Sequence, residues 1–417
     1  MNRVGLAITL ALVAVLVLVT ACGTSAPAPS APAPSASAQP SQAAKSEAPK
    51  SEAKPSVISA PIKLGLDQPM TGPGQALGVG IVEGVRFAID QLNQKGGVKG
   101  RKIELVERDT KSDPQQALVQ VQELMANKEI VALLGPALSP EVLAVKAAVM
   151  AGKTPMIAYA ANPKVSEAPN DWVFQLNLNN LLERDTVLTY LQKGLKTQKV
   201  AILSGNDAYG QGGRDTFVAG ASNFGLQFVA QEQFGSEDTD MTPQLTKIKA
   251  TDASAILLWG ISPRPEIAAK NAKQLGMQQK LVTAAAMVVD VFRKVAGDAA
   301  VGVVWPTVYL YGNPHSDAGK QFAAVWKSKF GREADLNAAV GYASVVVMEQ
   351  ALQKAMKADG SIDRQTLRDA LEAVKIDTPV GLTEYNKDKH AGLSLDAMIM
   401  GRITPDGTAV EWQAKGQ

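Results

Sequence analysis

From Ile62 onward, short runs rich in Val, Ile and Leu alternate with longer stretches of helical period. This alternation limits the fold more than any other feature of the 417-residue chain. Expected strands lie at 62–66, 103–108, 130–134, 155–158, 200–203, 226–231, 255–258 and 281–283, with helices among them at 81–93, 114–126, 140–151 and 183–192. Strand–helix alternation implies parallel sheets covered by helices. Two sets of such units predict an α/β protein of two lobes. The helix starts are well marked. Asp113-Pro114 and Ser139-Pro140 each join a capping side chain to a first-turn proline. Asn180 and Glu183 have the spacing of a capping box, and Ser262-Pro263 opens a further helix.

The segment before Ile62 has a different texture. Met1-Asn2-Arg3 is a short positive start, the stretch from Val4 to Val19 is almost wholly apolar, and Val19-Thr20-Ala21 places small residues before Cys22, the chain's single cysteine. A charged start, an apolar stretch and a small-residue cleavage site make a secretory signal over 1–21. The order Val-Thr-Ala-Cys resembles a bacterial lipobox, in which cleavage leaves a diacylated Cys22. A plain membrane anchor and a cleavage elsewhere are the alternatives, although the apolar stretch is marginal against the roughly 20 residues that a span requires. Residues 22–59 are mostly Ala, Pro, Ser, Lys and Glu and carry no aromatic side chain. Such a segment cannot bury enough surface to offset its ordering entropy, so a disordered tether is expected, with an r.m.s. reach on the order of 35 Å. One cysteine leaves no internal disulfide, and the near balance of 42 Lys+Arg with 40 Asp+Glu points away from a nucleic-acid partner.

In open α/β sheets, ligands bind beyond the carboxyl ends of the strands, where helices begin. Four loops qualify. The first runs from Gly135 through Ala137, Leu138 and Ser139. Its backbone amides stand at a helix N-terminus, a ready anion site, and Ser139 either caps that helix or also faces a ligand. The second holds Ala158, Tyr159, Ala160 and Ala161, whose small side chains leave backbone amides accessible. The third is Asn206 to Gly212, where Tyr209 can close over a ligand. The fourth is Trp259-Gly260-Ile261-Ser262, where Trp259 either walls a pocket or packs in the core.

Signals for catalysis are weak. Gly72-Pro-Gly74 and Gly78-Val-Gly80 precede a helix, but neither forms the dinucleotide-binding spacing directly after a strand. There is no G-x-S-x-G and no P-loop, and His315 and His390 lie far apart. No catalytic residue, cofactor or metal site is expected.

From about Ile62 to the C-terminus the chain resembles the leucine/isoleucine/valine-type periplasmic binding proteins of ABC importers. The likeness rests on an ordered set: Thr71-Gly72-Pro73, Gly78, Gly84, Asn93, Gly96-Gly97-Val98-Lys99-Gly100, Asp109 and Asp113-Pro114, then GPALS at 135–139, DAYGQG at 207–212, GYAS at 341–344 and TPVGLTEYNKDKHAGL at 378–393. The resemblance implies two Rossmann-like lobes joined by three crossovers, the type I periplasmic-binding fold, with one lobe at 60–180 and 307–380 and the other at 181–306 and 381–417. It implies a ligand carboxylate held at 137–139 and 158–161. Gln75, Gly260, Ser262 and Ala285 join the expected ligand-binding residues. Amino-acid binders of this family hold the ammonium with acidic residues at positions aligned with Asn180 and with the loop 283–286. Neither is acidic here. A buried ammonium without a carboxylate partner is costly. The expected ligand is therefore a small carboxylate without that ammonium, aromatic or hydrophobic in view of Tyr159, Tyr209 and Trp259, with branched-chain or other amino acids as the alternative. The expected partners are membrane permease subunits, reached by a monomer held outside the cytoplasm by its lipid. A sensing module for a signalling partner and an exported enzyme are the competing classes.

Overall fold

The computed structural model describes residues 59–285, 287–395 and 398–413. The signal segment, Cys22, nearly all of the 22–59 tether and Ala286 lie outside them. Among the described residues no helix is long and apolar enough to cross a membrane.

Two sheets organise the described residues, which fall in one compact unit. The first contains β1 (Ile62–Gln68), β2 (Ile103–Asp109), β3 (Ile130–Leu134), β4 (Met156–Ala158) and β5 (Val173–Gln175), in the order β2-β1-β3-β4-β5 and wholly parallel. The second contains β6 (Lys199–Gly205), β7 (Gln227–Phe234), β8 (Ala255–Trp259), β9 (Lys280–Thr283), β10 (Val304–Thr307), β13 (Ile399–Ile403) and β14 (Thr408–Gln413). Its order is β14-β13-β10-β9-β8-β6-β7, with β13 and β14 antiparallel at one edge. Central strands such as β8, AILLW, are buried along their whole length, as expected where helices cover both faces.

Helices supply those covers. On the first sheet, α1 (Gln75–Gln94), α10 (Leu336–Ala355) and α11 (Arg364–Glu372) pack on one face, and α2 (Pro114–Ala126) and α3 (Ser139–Gly152) on the other. On the second sheet, α4 (Asn180–Thr189) and α5 (Ala208–Gly220) oppose α6 (Thr242–Lys249), α7 (Arg264–Gln274) and α8 (Val289–Ala296). The remaining helix, α9 (Asp317–Phe330), adds Phe322 and Trp326 to the first core.

Asp113 caps α2 as expected, accepting from the backbone N–H groups of Gln115 and Gln116 at 2.8 and 3.3 Å. Two other caps sit one residue earlier than expected. Asn179, not Asn180, accepts from the N–H groups of Leu181 and Leu182 to start α4. Leu138 precedes α3, and Ser139 is its first residue.

The chain crosses between the halves three times. The first two passages lie near 176–180 and after Thr307. The third comes later than the resemblance implies. The hairpin of β11 (Lys375–Thr378) and β12 (Gly381–Glu384) stays with the first half. Tyr385 packs edge-on against Phe174 at 5.2 Å between ring centroids, and His390 stacks on the same ring at 4.3 Å. These contacts hold 381–395 on the first core. The passage occurs between Met398, in the first core, and Ile399, in the second.

At the α1–α10 crossing the backbones nearly touch. A Cβ on Gly84 would collide with the carbonyl oxygen of Ala338, and one on Gly341 with that of Ile81. Gly84→Val is expected to cost about 1–3 kcal/mol, read as a lowered denaturation midpoint.

At the end of β1, Asp67 is 1% exposed, and neither carboxylate oxygen has a partner among the described residues. Burial, reinforced by the nearby Glu141 carboxyl, pushes its pKa up to about 8. Burial likewise lifts Glu141 to about 7, against hydrogen bonds from the Thr110 hydroxyl and the Leu138 N–H. The folded state therefore holds more protons than the unfolded chain between about pH 4 and pH 8, and stability falls as pH rises through that window. One such proton contributes a slope of up to about 1.4 kcal/mol per pH unit. Melting temperatures measured across this range should decline, and Asp67→Asn should flatten the decline and raise the midpoint at pH 8.

Candidate functional site

A cleft of about 650 Å³ of atom-free space, its open mouth included, lies between the two sheet-centred halves. From the first half it is lined by Pro73, Gly74, Ala76 and Leu77 at the start of α1, by Ala137, Leu138 and Ser139, and by Tyr159, Ala161 and Asn177. From the second come Tyr209, the segment 260–262 with Pro265 and Glu266, and Thr283, Ala284, Met287, Val288 and Phe292.

The first wall centres on the start of α3. Ser139 is 2% exposed, and its hydroxyl accepts from the Asn162 N–H at 3.3 Å. The hydroxyl thus holds the neighbouring loop. The amide end of α3 still carries the positive pole of the helix beside the cleft. The Tyr159 hydroxyl donates to Ser344 at 2.8 Å, which fixes the ring as a wall. Asn177 donates to the Tyr159 carbonyl at 2.5 Å and accepts from the Leu178 N–H at 2.8 Å.

The second wall centres on Tyr209. Asp207 caps α5 by accepting from the N–H groups of Tyr209 and Gly210 at 2.8 and 2.9 Å. The ring stacks at 6.0 Å on Trp259, which in turn meets Phe217 edge-on at 4.6 Å. Burial drives the Tyr209 hydroxyl pKa well up, and Glu183 adds to the shift.

Seven expected residues meet at the cleft: Ala137, Leu138, Ser139, Tyr159, Tyr209, Gly260 and Ser262. Six stand back from its lining. Gln75 is exposed on α1 between lining neighbours. Ala158 and Ala160 pack in the core on the α2–α3 face. Trp259 is core and supports Tyr209 from behind, with no room for a Cβ on Gly213 beside its indole N–H. Asn180, with its amide oriented to satisfy its neighbours, donates to the Ala161 carbonyl at 3.2 Å and accepts from the Gly213 N–H at 2.9 Å. Ala285 lies in the first core, and its N–H donates to Glu183 at 3.0 Å. Burial pushes the Glu183 carboxyl up to about 8.

Other lining residues escaped the sequence. Met287, Val288 and Phe292 form an apolar run that reads like any core-facing helix start. Glu266 has a signal: it is an acid in the first helical turn after a strand-end loop, the place where ligands are read. Among the described residues no group of His, Cys, Asp and Glu is placed to hold a metal.

Comparison with known proteins agrees with this geometry. The pattern of the Periplasmic binding protein family matches residues 61–408. A Leu/Ile/Val-binding protein, BraC3, of Rhizobium johnstonii is 25% identical over 331 residues, covering 79% of this chain and 88% of the relative. The periplasmic binding protein type 1 of Bordetella pertussis superposes with a TM-score of 0.78 at 26% identity, over 84% of this chain and 100% of that one. The branched-chain amino acid substrate-binding protein LivJ of Streptococcus pneumoniae, solved with isoleucine, gives a TM-score of 0.76 at 23% identity, over 84% and 99% of the two chains. The chain therefore belongs to the periplasmic binding protein family, with the type I fold, and is a solute-binding protein rather than an enzyme.

Proposed function

We propose that this chain is the extracytoplasmic solute-binding component of an ABC importer, that it captures a small organic carboxylate, and that it presents the closed form to a membrane permease. One observation carries the reading: both halves line one cleft, so a ligand touching both walls favours the closed arrangement by its differential contacts. The carboxylate belongs at 137–139, where the positive end of α3 meets the cleft. Leu77, Tyr159, Tyr209, Met287 and Phe292 suit an aromatic or hydrophobic body.

Against an α-amino acid stand the two positions where an acid is wanted. Asn180 spends its amide on Ala161 and Gly213, and Ala285 offers no side-chain charge. The second reading, capture of branched-chain or other amino acids, is favoured by Glu266, an acid elsewhere on the lining, and by relatives named as Leu/Ile/Val-binding proteins. Titration calorimetry with leucine, isoleucine, valine, benzoate-type acids and short keto acids separates the two. The ammonium-free reading expects the acids to bind and the amino acids to bind weakly. Tight leucine binding overturns it.

The same function requires that the clamp stay near its permease, and we assign that role to a lipid on Cys22 with 22–59 as leash. Expressed in a bacterial host, the native protein should partition into the detergent phase and carry acyl chains on its N-terminal residue by mass spectrometry. Cys22→Ala should move it to the aqueous phase. Equal partitioning of the two forms removes the anchor.

A further inference from the structure

The two halves also meet beside the cleft, through residues that do not line it. Asn162 belongs to the first half, in the loop after β4, and is 4% exposed. Three bonds fix it there. Its backbone N–H donates to the Ser139 hydroxyl at 3.3 Å, its carbonyl accepts from the Gln175 amide at 3.3 Å, and its side-chain Oδ1 accepts from the Lys164 N–H at 3.0 Å. With Oδ1 used locally, the amide nitrogen is free to reach outward. It donates at 2.7 Å to the carbonyl of Ala208, the first residue of α5 in the second half. The facing helix is shaped to receive it. A Cβ on Gly212 would stand 2.4 Å from that nitrogen, so the approach requires glycine on this face of α5. Neither bonded residue lies in a crossing segment. A rotation that opens the cleft therefore separates the two groups and returns both to water.

We infer that Asn162 is a latch between the halves: its side-chain amide, bonded to the Ala208 carbonyl across the notch at Gly212, favours the closed arrangement and so tightens capture of any solute the cleft accepts. Asn162 is a positioning residue, acting on the solute through closure and without touching it. The inference rests on a clamp that closes, and is independent of whether the solute carries an ammonium. Ser139 lines the cleft and holds the Asn162 N–H, so the wall at 137–139 and the latch share one bond. A solute on that wall bears on the same loop that reaches the second half. A hydrogen bond that replaces bonds to water gives a modest net gain. Such a gain biases an equilibrium between open and closed forms without locking it, which leaves the solute able to enter and leave.

The test uses the full chain with Cys22→Ala, which leaves no other cysteine. Spin labels are carried on Ala147→Cys in α3 and Ala219→Cys in α5, both exposed positions. Pulsed EPR reads the distance between the halves, and titration calorimetry reads the affinity for leucine and for isocaproate. Two variants break the latch from opposite sides. Asn162→Asp keeps an acceptor for the Lys164 N–H and loses the donor, while Gly212→Ala puts a methyl group in the way. Each should move the solute-free distance distribution to longer values. Each should also weaken whichever acid binds the native protein by about threefold to tenfold, as expected for one neutral hydrogen bond. If both acids bind, both should lose by the same factor, and the double variant should lose no more than either single one. Ala is a better helix former than Gly, so Gly212→Ala should hold its melting temperature while losing closure. That variant separates the latch from a general weakening of the fold, and it decides the matter should Asn162→Asp fail to fold. An unchanged distance distribution in Gly212→Ala overturns the latch. So does a loss confined to one acid, which makes Asn162 a solute contact instead. A native distance that does not shorten with a bound acid removes the clamp reading, and the latch with it. Binding of neither acid overturns both readings of the solute, and the solute-free distances still decide the latch.

Discussion

Every segment that lines the cleft follows the carboxyl end of a parallel strand. Residues 73–77 follow β1, 137–139 follow β3, Tyr159 and Ala161 follow β4, and Asn177 follows β5. On the other side Tyr209 follows β6, 260–266 follow β8, and Ala284, Met287, Val288 and Phe292 follow β9, whose last residue Thr283 also lines the cleft. Parallel strands joined by helical crossovers place all their helix starts on one edge, and with them the backbone amides that are not used inside helices. Turning the two such edges toward one another puts helix N-termini on both sides of a single space. The antiparallel pair β13 and β14 is added at the far edge of the second sheet and contributes nothing to the lining.

That arrangement concentrates carboxyl groups near helix starts, and their fates differ with their neighbours. Asp113 and Asp207 are partly solvated caps, satisfied by two backbone N–H groups each. Glu141 is buried but bonded on both oxygens, to Thr110 and to the Leu138 N–H. Asp67 is buried with neither oxygen bonded among the described residues. The molecule thus carries carboxyl groups whose pKa is raised first by burial, a cost set, for Asp67, against the packing of β1 between β2 and β3.

The regular parts of the fold were legible because their signals are local. Strands β1, β3 and β8 are apolar runs bounded by turn residues, and α2 announces itself through Asp113-Pro114. Elements that depend on tertiary partners were not. β5 is three residues long, and β11 through β14 pair with strands far away or across hairpins, so no nearby pattern marks them. α10 is buried over most of its circumference and shows no one-sided stripe. In the site, glycine and helix-start signals led to Ala137, Ser139, Tyr209 and Ser262. An aromatic at a strand end and a small residue in a strand-end loop point to Trp259 and Ala158 as well, but a strand end directs alternate residues to opposite faces, and both pack in the core. The third crossing was misplaced since the stacking of His390 on Phe174 joins residues 216 positions apart.

The loop after β9 departs from the pattern that the resemblance implies. Resemblance leads one to expect an acid within 283–286, yet the loop reads Thr-Ala-Ala-Ala. The acid that meets this loop comes instead from α4, where Glu183 accepts from the Ala285 N–H at 3.0 Å. Small side chains at Ala284 and Ala285 let the helix approach, and the carboxylate is spent on holding backbone rather than on facing solute. Glu183 does not line the cleft; Ala284 does. The carboxylate that does line the cleft is Glu266, one strand away at the start of α7, with one oxygen bonded by the Ser262 hydroxyl.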